Sequence, residues 1–173
     1  MKIKDRQTIY QGFFKVEKVT VDANGHLLER DIVINRNAVA ALVFDTNKQE
    51  YLLTEQFRVP PQKHLLEIVA GLLDKENEEP EAAIKREIEE ELGYKTDKLE
   101  LIETFYSTPG SYSEKVWLYY AEVSHKSGEG GGLAEEHENI KTVGFTREKL
   151  LRQQFEDAKT LIAVLWLQAR ANK

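Results

Sequence analysis

The alternation of apolar and polar residues divides the chain into short segments. From Tyr10 to Asp22 the apolar residues Phe14, Val16, Val19 and Val21 alternate with polar ones, with one slip in phase. This predicts a half-buried strand carrying a bulge. Asp22-Ala23-Asn24-Gly25 reads as a turn, because Asn-Gly accepts the left-handed backbone of a tight hairpin, and Leu27–Asn35 reads as the returning strand. Asn37–Asp45 is almost continuously apolar and is expected to be a strand buried on both faces. A turn at Thr46–Gln49 and a strand over Glu50–Gln56 follow, ended by Pro60-Pro61, which cannot join a ladder. Leu65–Ala70 reads as one short strand running into Gly71, and Gly71–Glu79 as a polar loop.

The period then changes. Between Pro80 and Leu92 the apolar residues Ala83, Ile84, Ile88 and Leu92 recur at helical spacing. Pro80 suits a first turn, whose N–H needs no partner, and Gly93 stands where a left-handed cap is expected. Leu99–Tyr106 and Lys115–Val123 read as strands joined through Ser107–Ser111, and Gly128–Gly132 as a flexible loop. A last strand over Ile140–Phe145 precedes a short helix, Arg147–Gln154, and a longer one, Asp157–Arg170, with an apolar stripe of Leu161, Ile162, Leu165 and Trp166. Many strands, one helix, more strands and then helices describe an α+β fold rather than alternating βαβ units. No repeat or linker interrupts the chain, so residues 1–173 are expected to form a single domain.

Composition narrows the possibilities. With 173 residues, 41% of them hydrophobic and 31% charged, the chain can bury a sizeable core. The absence of cysteine excludes disulfides, thiolate metal sites and a catalytic thiol. The net charge of -6 without a basic stripe argues against nucleic acid as a partner. The N-terminal residues lack the apolar core of a signal peptide, and no apolar run is long enough to span a membrane, so the expected compartment is the cytoplasm.

The candidate chemistry lies on the first helix. At 3.6 residues per turn, Glu87, Glu90 and Glu91 fall on one face, while Glu89 points away as a solvated charge. Neighbouring like charges on a helix repel by a few tenths of a kcal/mol per pair. A cation between them removes that cost, and oxygen ligands suit Mg²⁺ or Mn²⁺.

This segment, Gly71–Tyr94, resembles the Nudix box, G-x5-E-x7-R-E-U-x-E-E-x-G-U with U a bulky apolar residue. Arg86, Glu87, Ile88, Glu90, Glu91, Gly93 and Tyr94 match in register. The first glutamate of the box falls on Glu78, but one residue is inserted between it and Gly71. Gln56-Phe57-Arg58, Leu66–Gly71, Ser107–Gly110, Gly132–Ile140 and Asp157–Ile162 are similar to segments of the ADP-ribose pyrophosphatase branch, several of them shared with GDP-mannose hydrolases. Val69 replaces a proline common in the branch, and Thr108 interrupts its Ser-Pro-Gly.

The resemblance implies mixed β-sheets sandwiched between helices, with an additional N-terminal antiparallel sheet, residues 1–36, used to form a homodimer. It implies metal-dependent hydrolysis of a nucleoside diphosphate sugar, ADP-ribose first and GDP-mannose as the alternative, or else a non-catalytic nucleotide-binding module. Glu87, Glu90, Glu91 and the carbonyl of Ala70 would hold Mg²⁺ or Mn²⁺, with Glu90 a ligand or an orienting group. Arg86 would lock the glutamates, and Glu78 would brace Arg86. Glu138, with Glu136 close behind, would supply a base or a further ligand from a loop that the glycines allow to close. Arg58 would contact a phosphate, unless it serves a structural ion pair. Arg30 and Arg36 are further phosphate candidates, and Phe14, Phe13 or Tyr10 could stack on a base.

Overall fold

The computed structural model describes residues 1–75, 77–132 and 139–170, in two compact units. The first comprises Met1–Ala38 and Thr104–Val116, the second Val39–Glu103 and Trp117–Lys173.

In the first unit, β1 (Lys2–Gln11), β2 (Lys15–Ala23) and β3 (His26–Ile34) form an antiparallel sheet in that order. The turn stands where Asn24-Gly25 predicted it. Both residues have positive φ, 56° and 90°, and the Gly25 amide donates to Asp22 Oδ1 at 2.8 Å. The phase slip is explained by Phe14. It belongs to the tight connection before β2, where the Gly12 amide donates to the Phe14 carbonyl at 2.9 Å, and the bulges lie in β1. The apolar and polar alternation did not show β1, although the resemblance implied an N-terminal sheet over residues 1–36. All its residues are exposed, so no buried face imposes an alternation on its sequence. Glu17 of β2 is buried instead, flanked by Arg6 and Lys15, which hydrogen-bond its carboxylate and hold its pKa below the usual range. The segment around Ser111–Glu114 is tied to β3 through Val33 and Asn35, with the Asn35 amide donating to Ser113 Oγ at 3.0 Å.

The second unit carries a seven-stranded sheet. Its path runs β10 (Lys141–Phe145), β5 (Glu50–Arg58), β4 (Ala38–Asp45), β9 (Lys115–Lys126), β8 (Tyr94–Tyr106). β6 (Lys63–Glu67) pairs with β5, and β7 (Val69–Leu72) with β4. Ala38–Val43 are all buried, as the continuous apolar run requires of a strand covered on both faces. On one face α1 (Pro80–Leu92) inserts Ala83, Ile84, Ile88 and Leu92 among Val39, Ala41, Val43, Val69, Tyr119 and Ala121. On the other, Trp166 of α3 (Ala158–Arg170) packs on Tyr120, the alternate neighbour of Tyr119 along β9, with ring centroids 5.6 Å apart. α2 (Arg147–Arg152) begins at Thr146, whose hydroxyl accepts from the Lys149 amide. Among the described residues, no helix is long and apolar enough to cross a membrane.

Leu65–Ala70, expected as one strand, is two. The chain leaves β5 after Glu67 and pairs with β4 from Val69. The Ile68 amide between them donates to Thr160 Oγ1 at 2.9 Å. Thr160 Oγ1 donates to Asp157 Oδ2 at 2.7 Å, and the Thr160 amide donates to the same oxygen at 2.8 Å. Asp157 therefore caps α3 and anchors the strand switch together. Burial acts to raise the Asp157 pKa, but Lys159 and the Thr160 hydrogen bonds outweigh it and hold the carboxyl below its ordinary value. A depressed folded pKa stabilises above the unfolded value and is lost as pH falls through the folded one. Asp157→Ala is expected to cost about 1–2 kcal/mol at neutral pH. The gap from the native chain should narrow in denaturation curves as pH drops below about 3.9. A gap that stays constant to pH 2 would deny the carboxylate this role.

Candidate functional site

The polar loop of the Gly71–Tyr94 segment and the helix behind it converge on one guanidinium. Pro80 opens α1, and Gly93, at φ 75°, closes it, its amide donating to the Glu89 carbonyl. Between them helical spacing sets Arg86, Glu87 and Glu90 along one side. Arg86 Nε and Nη2 donate to the two carboxylate oxygens of Glu78, each at 3.1 Å. Arg86 Nη1 donates to Glu87 Oε1 at 2.7 Å and to Glu90 Oε2 at 2.8 Å. Nη2 also reaches Asp74 Oδ1 at 3.5 Å. The two-pronged bond to Glu78 uses the planar fork that only arginine has.

The inserted residue does not displace Glu78. The loop absorbs it in a turn where Asn77 adopts a left-handed backbone, φ 60°, and the Glu78 amide donates to the Lys75 carbonyl at 3.2 Å. Asparagine tolerates that conformation better than most side chains. Glu78 thus reaches Arg86 by a path one residue longer than the family pattern.

Burial and charge act in opposite directions across the cluster. The hydrogen bond from Arg86 holds the Glu78 carboxyl below its ordinary pKa, and Glu78 in turn raises that of Arg86. Glu87 is pushed up to about 7, first by burial and further by Glu90, against the pull of Arg86. Glu91 faces inward and is 4% exposed, whereas Glu89 is exposed, as its position on the helix predicted. Beneath the cluster, Gly71 of β7 lies so close to Glu87 that a Cβ on residue 71 would overlap the Glu87 carboxyl group. Ala70 adjoins it in the same strand.

The donor set fits a hard divalent cation. It is made of carboxylates that crowd one another, one of them already driven toward its neutral form, and a cation relieves that crowding. Among the described residues no three His, Asp or Glu side chains converge closely enough to grip an ion as they stand. Glu87 and Glu90 each turn an oxygen toward Arg86 instead.

The other candidates are distributed as follows. Arg58, at the end of β5, directs Nε and Nη2 to Glu67 Oε2, the former at 2.9 Å, and Glu67 is buried. Arg30, Arg36 and Phe14 belong to the first unit. The Arg30 guanidinium donates to the Glu29 carbonyl, Arg36 is exposed, and Phe14 meets Tyr112 edge-on. Glu136 and Glu138 lie outside the described residues. Sequence reasoning passed over Asp74 and Glu67. Asp74 carried a signal, as a further carboxylate between Gly71 and the helix, but the Glu67–Arg58 pairing depends on the β5–β6 register and had none.

Comparison with known proteins identifies the family. The model of the NUDIX domain matches residues 34–164. A methanol dehydrogenase activator of Bacillus methanolicus is 36% identical, over 96% of this chain and 91% of its own. An ADP-ribose pyrophosphatase of Bacillus subtilis is 37% identical, over 85% of this chain and 80% of its own. A GDP-mannose pyrophosphatase of Cronobacter sakazakii is 31% identical, over 97% and 94%. The crystal structure of an ADP compounds hydrolase superposes with a TM-score of 0.83 over 99% of this chain and 94% of that one, at 23% identity, and shows the same fold. The matched span includes the Arg86 cluster and the Gly71 strand beneath it, and the chain belongs to the NUDIX family.

Proposed function

We propose that this chain hydrolyses the diphosphate linkage of a nucleoside diphosphate sugar, with ADP-ribose the first substrate and AMP and ribose 5-phosphate the products. The observation that carries this reading is the fastening of Glu78, Glu87 and Glu90 by Arg86 on the helix that also carries the inward Glu91. Glu87, Glu90, Glu91 and the Ala70 carbonyl would hold Mg²⁺, with Mn²⁺ as a substitute. Such an ion supplies neutralisation of diphosphate charge and acidifies a bound water. Arg86 fixes the directions of the carboxylates. Arg58, oriented by Glu67, is assigned to a substrate phosphate. Glu138 or Glu136 is assigned the removal of a proton from the attacking water. Arg30, Arg36 and Phe14 are assigned further substrate contacts within a homodimer.

GDP-mannose is the second reading, supported by the relative of that name, which matches nearly the whole chain. A panel of nucleotide sugars at equal concentration with Mg²⁺, its products identified in ¹⁸O water, tests both. AMP from ADP-ribose is expected. GMP and mannose 1-phosphate as the dominant products would move the assignment to GDP-mannose. Binding without turnover of any member would leave a nucleotide-binding module.

Gly71→Ala tests the floor of the site. The atoms a Cβ would meet belong to the Glu87 side chain and not to backbone, so the fold is expected to persist, at a cost of about 1–3 kcal/mol for the Arg86–Glu87 hydrogen bond that is lost. Glu87 must swing away, and turnover is expected to fall about 10- to 100-fold. Unchanged kinetics would separate Glu87 from the chemistry.

A further inference from the structure

The last turn of α1 carries Glu89, Glu90 and Glu91, with no basic residue in that turn. Negative charge at the carbonyl end of a helix opposes the macrodipole, and the terminal carbonyls need donors from elsewhere. The Gly93 amide meets only the Glu89 carbonyl. Two of the others are met from far along the chain. The Gly131 amide donates to the Glu91 carbonyl at 2.8 Å, and the Gly132 amide to the Glu90 carbonyl at 3.2 Å. The Ser127 and Gly128 amides both donate to the Gly93 carbonyl, at 2.7 and 3.0 Å.

The stretch Gly128–Gly132, expected as a flexible loop, is thus a clamp on the helix. Three of its glycines are required by backbone shape. Gly130, Gly131 and Gly132 have φ of 73°, 99° and 84°, a region costly for other side chains. A Cβ on Gly130 would strike the Leu92 and Glu91 backbone, and one on Gly93 the Gly128 carbonyl.

We propose that Gly131 and Gly132 are positioning residues for Glu90 and Glu91: by holding the backbone carbonyls of those two residues, their amides set the aim of the carboxylates and so the affinity of the site for a divalent cation. This deepens the hydrolase reading and rests on its assignment of Glu90 and Glu91 as ligands. Gly131 is the residue to change, because a Cβ there would meet only the Ile140 carbonyl, at ordinary contact distance, and the strain is confined to the backbone.

Calorimetric titration with Mn²⁺ alone, without substrate, reads the effect. In Gly131→Ala, the dissociation constant is expected to rise about 10-fold or more, as for other groups that support ligands. Gly131→Asn, which tolerates positive φ better, is expected to recover part of the loss. Ser127→Ala keeps its backbone donor and loses its side-chain bonds to the exposed Glu89, at 2.9 Å, and to the Gly93 carbonyl, at 3.4 Å; neither bears on the Glu90 or Glu91 carbonyls, and the variant is expected to match the native protein. A folded Gly131→Ala with native Mn²⁺ affinity overturns the proposal. Should that variant fail to fold, hydrogen exchange on the native protein decides: the Gly131 and Gly132 amides must be protected, and Mn²⁺ must slow them further. Exchange at the open-chain rate, or exchange indifferent to Mn²⁺, overturns it equally. Failure of the substrate panel with these ion effects intact would sink the hydrolase reading and leave the clamp standing.

Discussion

Arg86→Ala is expected to destabilise the protein by about 1.5–3 kcal/mol, the cost of losing charge-assisted hydrogen bonds in a half-buried cluster. Partial exposure keeps the cost below that of a fully buried ion pair. The Arg86 side chain is 17% exposed, those of Glu78 and Glu87 11% and 13%. Without the guanidinium, Glu78, Glu87 and Glu90 lose their shared donor, and their charges face one another across the loop and helix. Arg86→Lys should recover only a small part of the loss. An ammonium keeps the charge, but it cannot grip both oxygens of Glu78 while a separate nitrogen bridges Glu87 and Glu90. Urea denaturation of the three proteins measures this. A midpoint for Arg86→Ala equivalent to less than about 1 kcal/mol of change would mean that the carboxylates find other partners.

Glu91→Gln is expected to act in the opposite sense on stability and activity. At 4% exposure, a carboxylate is an expensive group to bury, and an amide of the same shape is cheaper. Thermal stability should hold or rise. Hydrolysis should fall about 100- to 1000-fold, the loss typical of removing one group that stabilises transition-state charge. Such a divergence marks a residue retained for chemistry at the expense of stability. Steady-state kinetics alongside a melting curve test it, and unchanged diphosphate hydrolysis in Glu91→Gln would remove the metal role assigned to this face of α1.

These residues show what could be read from the chain alone. The helix Pro80–Leu92 and its cap at Gly93 were legible because a 3.6-residue period, an N-terminal proline and a left-handed glycine are local signals. The same period put Glu87 and Glu90 beside Arg86, whereas Glu91 turns inward. β1 was not legible, since an exposed strand leaves no apolar imprint. The break at Ile68 was hidden because its cause, Thr160, stands in α3. The flexible reading of Gly128–Gly132 took glycine as freedom. Its amides meet carbonyls that composition does not reveal, and the positive φ angles serve that approach. The pairing of Arg58 with Glu67 likewise required the strand register.

The clamp also bears on the order of folding. Every residue of the Gly71–Tyr94 segment is close in sequence, so its helix can nucleate early from local contacts. Its final turn cannot be finished that way. The donors for the Glu90, Glu91 and Gly93 carbonyls arrive only with Ser127–Gly132, after β8 and β9 have been laid down. A fragment ending before Ser127 would contain the whole segment and still fray where Glu90 and Glu91 sit. The end of the helix that carries Glu90 and Glu91 is therefore expected to mature among the last parts of the second unit, with a rate set by closure of a long loop rather than by helix propensity.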